Sequence, residues 1–138
     1  MSDQADRTST GSETILLAED DSGVRQVAKR ALTAAGYTVL DAGTGADALQ
    51  VAVGVPGPIH LLLTDVIMPE MGGRELAERL TATRPDVKVL FMSGYSDDAV
   101  VRHGVMREEI AFIQKPFRSE ALARKVREVL DDRTIHPS

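Results

Sequence analysis

Short apolar runs alternate along the chain with longer segments whose apolar residues recur at helical spacing. Runs without helical periodicity predict buried strands at residues 15–18, 59–64 and 87–92, and shorter strands at 37–40 and 110–114. Strands that are buried on both faces of a parallel sheet have this nearly continuous apolar character. The pattern therefore predicts five strands of one buried sheet.

Helices are predicted between the strands. The first contains Val24, Val27 and Leu32 on one face, with Ser22 as its predicted N-cap and Gly36 at its end. Further helical patterns follow at residues 46–53, around residues 76–80, and at residues 122–130. Residues 97–103 are predicted to form a short helix, whereas residues 104–109 have no clear period.

This alternation of strands and helices is typical of an α/β fold. It predicts right-handed βαβ units and a single doubly wound parallel sheet with helices on both faces. In open sheets of this kind, ligands bind in the crevice outside the carboxyl ends of the strands. Side chains that follow the strands directly are therefore the first candidates for chemistry.

Polar residues stand at the carboxyl ends of four predicted strands. Glu19 and Asp20 follow the first, Asp65 the third, Ser93 the fourth and Lys115 the fifth. One charged residue after a strand is most often the start of a loop. Four strand ends that converge on one crevice instead predict a functional site.

Three carboxylates in one crevice need a counter-charge, because each pair at ~4 Å costs about 4 kcal/mol at an effective dielectric near 20. Carboxylates and phosphate oxygens are the ligands that Mg²⁺ prefers, and we expect Mg²⁺ (or Mn²⁺) here. Asp65 is then the candidate nucleophile for a phosphoryl group, and Lys115 and Ser93 are candidate donors to its oxygens.

Composition limits the classes of function. The 138 residues fit one domain, which we expect over residues 13–132, between a disordered polar tail (1–12) and a C-terminal tail (133–138). The absence of cysteine favours the cytoplasm. No apolar segment predicts membrane contact, and a net charge of -5 disfavours direct binding of nucleic acid.

From about Thr14 to Asp132, the sequence resembles the receiver domain of two-component response regulators. Glu19 and Asp20 match the acidic metal-binding pair of that family, and Asp65 matches its phosphoacceptor. Ser93 matches its hydroxyl switch residue, and Lys115-Pro116-Phe117 matches its lysine turn. Residues 91–98 and 105–109 together resemble receivers at the C-terminus of hybrid sensor histidine kinases.

The resemblance implies further properties. It implies a flavodoxin-like strand order of 2-1-3-4-5, a metal contact from the backbone carbonyl of Ile67, and a cis peptide bond before Pro116. Phe112 takes the place of the family's switch aromatic, but it has no hydroxyl to donate. The implied partners are a sensor histidine kinase or a histidine phosphotransfer protein, together with an unidentified output partner.

The resemblance also implies a non-enzymatic role. The expected activity is self-phosphorylation followed by slow self-dephosphorylation. The chain could act alone or as the receiver part of a larger hybrid kinase.

Two alternatives remain open. Gly43, Gly45 and Ala48 fit the glycine fingerprint of a nucleotide-binding domain, although that fingerprint normally follows the first strand. An aspartate-nucleophile phosphatase would use a similar set of residues, but it needs a second acid two residues after the nucleophile. Ile67 stands there instead.

Overall fold

The structure is a computed structural model that describes residues 10–94 and 111–131. The described elements are β1 (Thr14–Ala18), α1 (Ser22–Ala34), β2 (Thr38–Ala42), α2 (Gly45–Val53), β3 (Leu61–Asp65), α3 (Gly73–Thr83), β4 (Lys88–Ser93), β5 (Ala111–Gln114) and α4 (Ser119–Asp131). The short helix predicted at residues 97–103 lies outside the described residues, as do most of the tail at 1–12 and all of the tail at 133–138.

The five strands form one parallel sheet in the order β2-β1-β3-β4-β5. Ile15 of β1 pairs with Leu61 of β3, and Leu63 pairs with Leu90 of β4. The predicted α/β class, parallel sheet and strand order are therefore confirmed.

Alternate residues of each strand enter two separate cores, since successive side chains point to opposite faces of a sheet. One core packs α1 and α4 against the sheet; its large side chains include Ile15, Leu17, Leu32, Leu61, Leu63, Leu90, Met92, Leu122 and Val126. The other packs α2 and α3 against the opposite face; it contains Leu16, Ala18, Ala48, Leu62, Leu76, Leu80 and Phe91. Both faces of the sheet are thus covered, which explains the continuous apolar runs.

Helix α1 begins directly after the acidic run, and its N-cap differs from the predicted one. Asp21 is the N-cap, because its Oδ1 accepts hydrogen bonds from the backbone N–H groups of Gly23 (2.8 Å) and Val24 (3.1 Å). Ser22, the predicted cap, is the first helical residue. A carboxylate at this position also interacts favourably with the helix dipole.

The loop between β3 and α3 folds back over the end of β3. The Gly73 N–H donates to the carbonyl of Val66 at 2.9 Å. A Cβ atom on Gly73 would overlap the backbone carbonyl of Asp65, so only glycine fits at the start of α3. This close approach holds the loop against Asp65.

Among the described residues, no helix combines the length and the apolar character needed to cross a bilayer.

Candidate functional site

Buried polar residues of the described chain concentrate at the carboxyl edge of the sheet. Glu19 (0% exposed), Asp65 (3%) and Ser93 (4%) lie there, next to Thr64. The Thr64 hydroxyl donates to the carbonyl of Asp65 at 3.0 Å. Burial of polar groups is costly unless they are paired, so a cluster of buried polar residues at this edge indicates a functional site.

Three carboxylates meet at this edge. Ala18 pairs with Thr64 across β1 and β3, which places Glu19 beside Asp65. Carboxylate oxygens of Glu19, Asp20 and Asp65 lie within 4.8 Å of one another. Close acidic oxygens, one of them on the exposed Asp20, suit a hard divalent cation that also keeps water ligands. The donor set therefore fits Mg²⁺.

The ammonium group of Lys115 enters the same cluster from the end of β5. Its Nζ lies 2.7 Å from Oδ1 of Asp65 and 3.2 Å from Oε1 of Glu19. The peptide bond between Lys115 and Pro116 is cis. One ammonium neutralises only part of the charge of three carboxylates, so the cluster retains an attraction for a cation.

The environment changes the acid–base properties of both partners. Burial, reinforced by the nearby Glu19 carboxylate, raises the pKa of Asp65 to about 8, although Lys115 opposes this shift. Burial acts to lower the pKa of Lys115, but its contacts with Asp65 and Glu19 outweigh burial, and the net pKa is raised. A divalent cation beside Asp65 would favour the ionised carboxylate.

Ser93 and Lys115 are joined through the backbone. The Lys115 N–H donates to the carbonyl of Ser93 at 2.6 Å. Ser93 is the last residue of β4, and its neighbour Met92 is paired with Asp65 on β3. The strand ends that carry the candidate acceptor, hydroxyl and ammonium therefore lie side by side.

The other candidate residues lie near this edge. Phe112 pairs with Phe91 across β4 and β5 and is partly buried against the core formed with α2 and α3. Ile67 follows Asp65 by two residues, and its side chain is exposed.

Two hydrogen bonds that hold the acidic loop were not predicted from the sequence. The Asp21 N–H donates to Oε2 of Glu19 at 3.0 Å, and Nη1 of Arg25 donates to the backbone carbonyl of Glu19 at 2.6 Å. A basic residue in the first turns of an amphipathic helix resembles any solvated residue in sequence. No pattern of spacing could have identified this contact.

A groove beside the site was also missed. It has a volume of about 670 Å³ and its surface is mainly apolar. It is lined by Asp21, Gly23, Val24, Val27, Gly94, Lys115, Pro116 and Phe117. Val27 is 48% exposed although it is a large apolar residue. The groove shares Lys115 with the acidic cluster, and Lys115 contacts Asp65.

Residues 15–127 match the family described as the response regulator receiver domain. The chain belongs to this family. Receiver domains act in two-component phosphorelays, bind Mg²⁺ at an acidic pocket, and interact with histidine kinases or phosphotransfer proteins. The resemblance noted from the sequence is therefore confirmed.

Two similar proteins of Brucella abortus (strain 2308) place the domain in different contexts. The chain is 41% identical over 122 residues to the sensor kinase CckA, covering 88% of the chain but only 13% of CckA. It is 38% identical over 116 residues to the response regulator receiver protein CpdR, covering 84% of the chain and 95% of CpdR. One relative is a large kinase, and the other is little more than the receiver itself.

Solved structures agree with this assignment. The receiver domain of the hybrid histidine kinase CckA is 35% identical, with a TM-score of 0.70, and the alignment covers 86% of this chain and 99% of that one. A CheY-like receiver domain protein from Methanospirillum hungatei JF-1 is 29% identical, with a TM-score of 0.72, and the alignment covers 88% and 95%.

The glycine-fingerprint alternative is not favoured. Its glycines follow β2, which lies at the edge of the sheet. A Cβ atom on Gly45 would lie 2.9 Å from Sδ of Met71, so a side chain already covers the backbone that a nucleotide phosphate would approach.

Proposed function

We propose that Asp65 is the phosphoacceptor of this receiver domain. Glu19, Asp20, Asp65 and the backbone carbonyl of Ile67 are the proposed contacts of Mg²⁺ (or Mn²⁺). The observation that carries the proposal is the position of the Lys115 ammonium, 2.7 Å from Asp65, within a cluster of three carboxylates. Close carboxylates repel one another and so do not favour stability, whereas phosphoryl transfer uses a carboxylate, a cation and an ammonium to balance the charge of the phosphoryl group.

The proposed reaction uses a carboxylate oxygen of Asp65 as the nucleophile. This oxygen forms a bond to the phosphorus of a phosphohistidine as the P–N bond breaks, and the leaving imidazole nitrogen takes up a proton from water. Lys115 and the hydroxyl of Ser93 donate hydrogen bonds to the transferred phosphoryl oxygens. The bound cation would neutralise the oxygens of the phosphoryl group and hold Asp65 ionised.

Phosphorylation replaces a single negative charge on Asp65 with a group of about two negative charges and three acceptor oxygens. The Ser93 hydroxyl is proposed to turn toward these oxygens. Because the Ser93 carbonyl is bonded to the Lys115 N–H, a shift of one strand end is transmitted to the other. Phe112 is the proposed aromatic partner of this switch, acting through packing alone.

We place the incoming donor in the groove beside Lys115. A phosphohistidine must reach Asp65 from the open side of the crevice, and the apolar groove that contains Val27 shares Lys115 with the acidic cluster. An apolar helix face that carries the histidine would bury Val27 there. This assigns the groove to a sensor histidine kinase or a histidine phosphotransfer protein.

The proposed domain extends over residues 13–132, with tails at 1–12 and 133–138. Within the first tail, the Gly11 N–H donates to the carbonyl of Ala35 at 3.1 Å.

The domain is proposed to hold its phosphoryl group rather than turn over a substrate, because Ile67 supplies no general acid or base. An unidentified output partner is also proposed, and the absence of cysteine is consistent with the cytoplasm.

Incubation with Mg²⁺ and acetyl phosphate, followed by intact mass measurement, tests the assignment. We expect one added phosphoryl group in the parent chain, and none in Asp65→Asn or when EDTA replaces Mg²⁺. Asp47→Asn is the matched control, since Asp47 is an exposed carboxylate in the first turn of α2. Phosphorylation that persists in Asp65→Asn would refute the proposal.

A further inference from the structure

Arg25 links the acidic loop to a neighbouring strand. Its Nη1 donates to the backbone carbonyl of Glu19 at 2.6 Å, and its Nε lies 3.4 Å from Oδ2 of Asp41 on β2. The guanidinium thus bridges the end of β1 and the adjacent strand. Its side chain is largely buried, as is that of Asp41.

The carbonyl that Arg25 binds belongs to the peptide group between Glu19 and Asp20. Fixing the plane of this peptide group fixes the backbone direction on both sides of it. Among the described residues, no hydrogen bond of its own holds the Asp20 carboxylate, whereas Glu19 is held by Lys115 and by the Asp21 N–H. The position of Asp20 therefore depends on this backbone, which is held by Arg25 and by the hydrogen bond from the Glu19 N–H to the carbonyl of Ala42 (3.1 Å).

We propose that Arg25 is a positioning residue that holds Asp20 and Glu19 in the geometry required for cation binding. The inference rests on the proposed function, because it concerns the cation that serves Asp65. Mutation of a residue that supports the metal ligands without contacting the ion typically weakens metal affinity by about 10- to 100-fold.

Charge alone predicts the opposite result. Removing a cationic side chain near an acidic cluster should tighten binding of a divalent cation, because a repulsion is lost. A positioning role predicts weaker binding. Lys29 provides the matched control: it lies one turn further along α1 and pairs with the same Asp41 at 2.9 Å, yet it makes no contact with Glu19.

The test is a titration of the metal-free protein with Mn²⁺, followed by electron paramagnetic resonance of the free ion. This measurement does not depend on phosphorylation, and the chain contains no tryptophan to report binding by fluorescence. For Arg25→Ala we expect a dissociation constant raised by about tenfold. For Lys29→Ala we expect one that is unchanged or lower. At saturating Mg²⁺, the phosphorylation rate of Arg25→Ala should approach that of the parent.

An unchanged or lowered dissociation constant in Arg25→Ala would overturn the proposal, as would equal weakening in Lys29→Ala. Thermal melting in EDTA establishes that each variant is folded. If Arg25→Ala does not fold, Arg25→Lys decides, since lysine lacks the planar guanidinium through which two separate nitrogens of Arg25 face the Glu19 carbonyl and Asp41. Its dissociation constant should lie above that of the parent, and equality would contradict the proposal. A parent that binds Mn²⁺ but takes no phosphoryl group would refute the proposed function and leave the Arg25 result interpretable.

Discussion

The Lys115 ammonium and the Asp65 carboxylate form an ion pair of 2.7 Å at the edge of the sheet, with Asp65 almost fully buried and Lys115 24% exposed. Glu19, the second partner of Lys115, has no exposed surface. In the metal-free protein, the Lys115 ammonium therefore provides counter-charge for Glu19, and for Asp65 whenever that buried carboxyl is ionised. A cation and Lys115 have overlapping electrostatic roles at this site.

Lys115→Met tests that relationship. In EDTA at pH 7.5, we expect the free energy of unfolding to fall by about 1–3 kcal/mol, less than for a fully buried pair because the ammonium is partly exposed. Binding of Mn²⁺ should become tighter, because the acids lose their internal counter-charge. Urea unfolding and a Mn²⁺ titration measure the two effects, with Lys29→Met as the control. Weaker binding of Mn²⁺ in Lys115→Met would contradict this account.

The raised pKa of Asp65 predicts a dependence of stability on pH. The ordinary pKa is 3.8 and the folded value is about 8, so between these values the folded state keeps a proton that the unfolded state releases. The unfolded state then binds fewer protons, and the free energy of unfolding falls as pH rises through this window. Asparagine cannot ionise, so Asp65→Asn should lack this decline.

At pH 8 in EDTA, we therefore expect Asp65→Asn to be more stable than the parent by on the order of 1–3 kcal/mol, with the difference vanishing toward pH 4. Added Mg²⁺ should raise the stability of the parent and leave that of Asp65→Asn nearly unchanged. Urea unfolding across the pH range, with and without Mg²⁺, measures the stability difference and the effect of the cation. If Asp65→Asn were less stable than the parent at pH 8, ionisation of Asp65 would not destabilise the folded state, and the prediction would be wrong.

Much of this fold could be predicted because its signal is repeated along the chain. Strands buried on both faces require continuous apolar runs, and Asp65 and Ser93 stand out because each ends such a run. The convergence of Glu19, Asp65 and Lys115 then followed from parallel topology, in which all carboxyl ends share one edge. The predicted N-cap at Ser22 was wrong because several neighbouring polar residues could satisfy the first turn.

Contacts between long side chains and distant backbone carbonyls could not be predicted. Arg84 donates to the carbonyls of Gly57 (2.9 Å), Ala52 (3.0 Å) and Val55 (3.0 Å), and so holds the segment that follows α2. Arg25 acts similarly on Glu19. Backbone carbonyls occur at every residue, so the sequence contains no sign of which carbonyl a guanidinium will reach.

The groove beside Lys115 predicts that one substitution slows phosphorylation by a histidine kinase without affecting phosphorylation by acetyl phosphate. Val27→Asp should slow phosphorylation by a phosphorylated histidine kinase by about tenfold or more, because a charge would replace an apolar contact in the docked complex. Phosphorylation by acetyl phosphate should be unchanged, since a small donor needs no groove. The kinase used is one whose phosphohistidine phosphorylates the parent chain.

Val53→Asp is the control for Val27→Asp, because Val53 is 82% exposed and lies at the end of α2 rather than in the groove. Equal loss with both donors in Val27→Asp would indicate damage to the site rather than loss of docking. Equal loss in Val27→Asp and Val53→Asp would place the kinase elsewhere.

Arg127 joins the start of the described chain to its last helix, at the edge opposite Asp65. Its Nη2 lies 2.7 Å from Oε2 of Glu13, and its Nη1 donates to the carbonyl of Thr10 (3.0 Å) and to the hydroxyl of Tyr37 (3.2 Å). The hydrogen bond from Arg127 lowers the pKa of Glu13 even though burial opposes this. We therefore expect Arg127 to stabilise the domain without serving the phosphorylation site.

Arg127→Ala should lower the free energy of unfolding at pH 7 by about 1–2 kcal/mol, because several charge-assisted hydrogen bonds are lost together. The lowered pKa of Glu13 contributes stability above its ordinary pKa, and this contribution is lost as pH falls through the folded value. The difference in the free energy of unfolding between the parent and Arg127→Ala should therefore become smaller at acidic pH.

The exposed Arg79–Glu75 pair (2.8 Å) gives the control, and Arg79→Ala should lower the free energy of unfolding by at most about 0.5 kcal/mol. Phosphorylation by acetyl phosphate at a temperature where both variants are folded should match the parent, and a slower rate in Arg127→Ala would show that the two edges of the sheet are coupled.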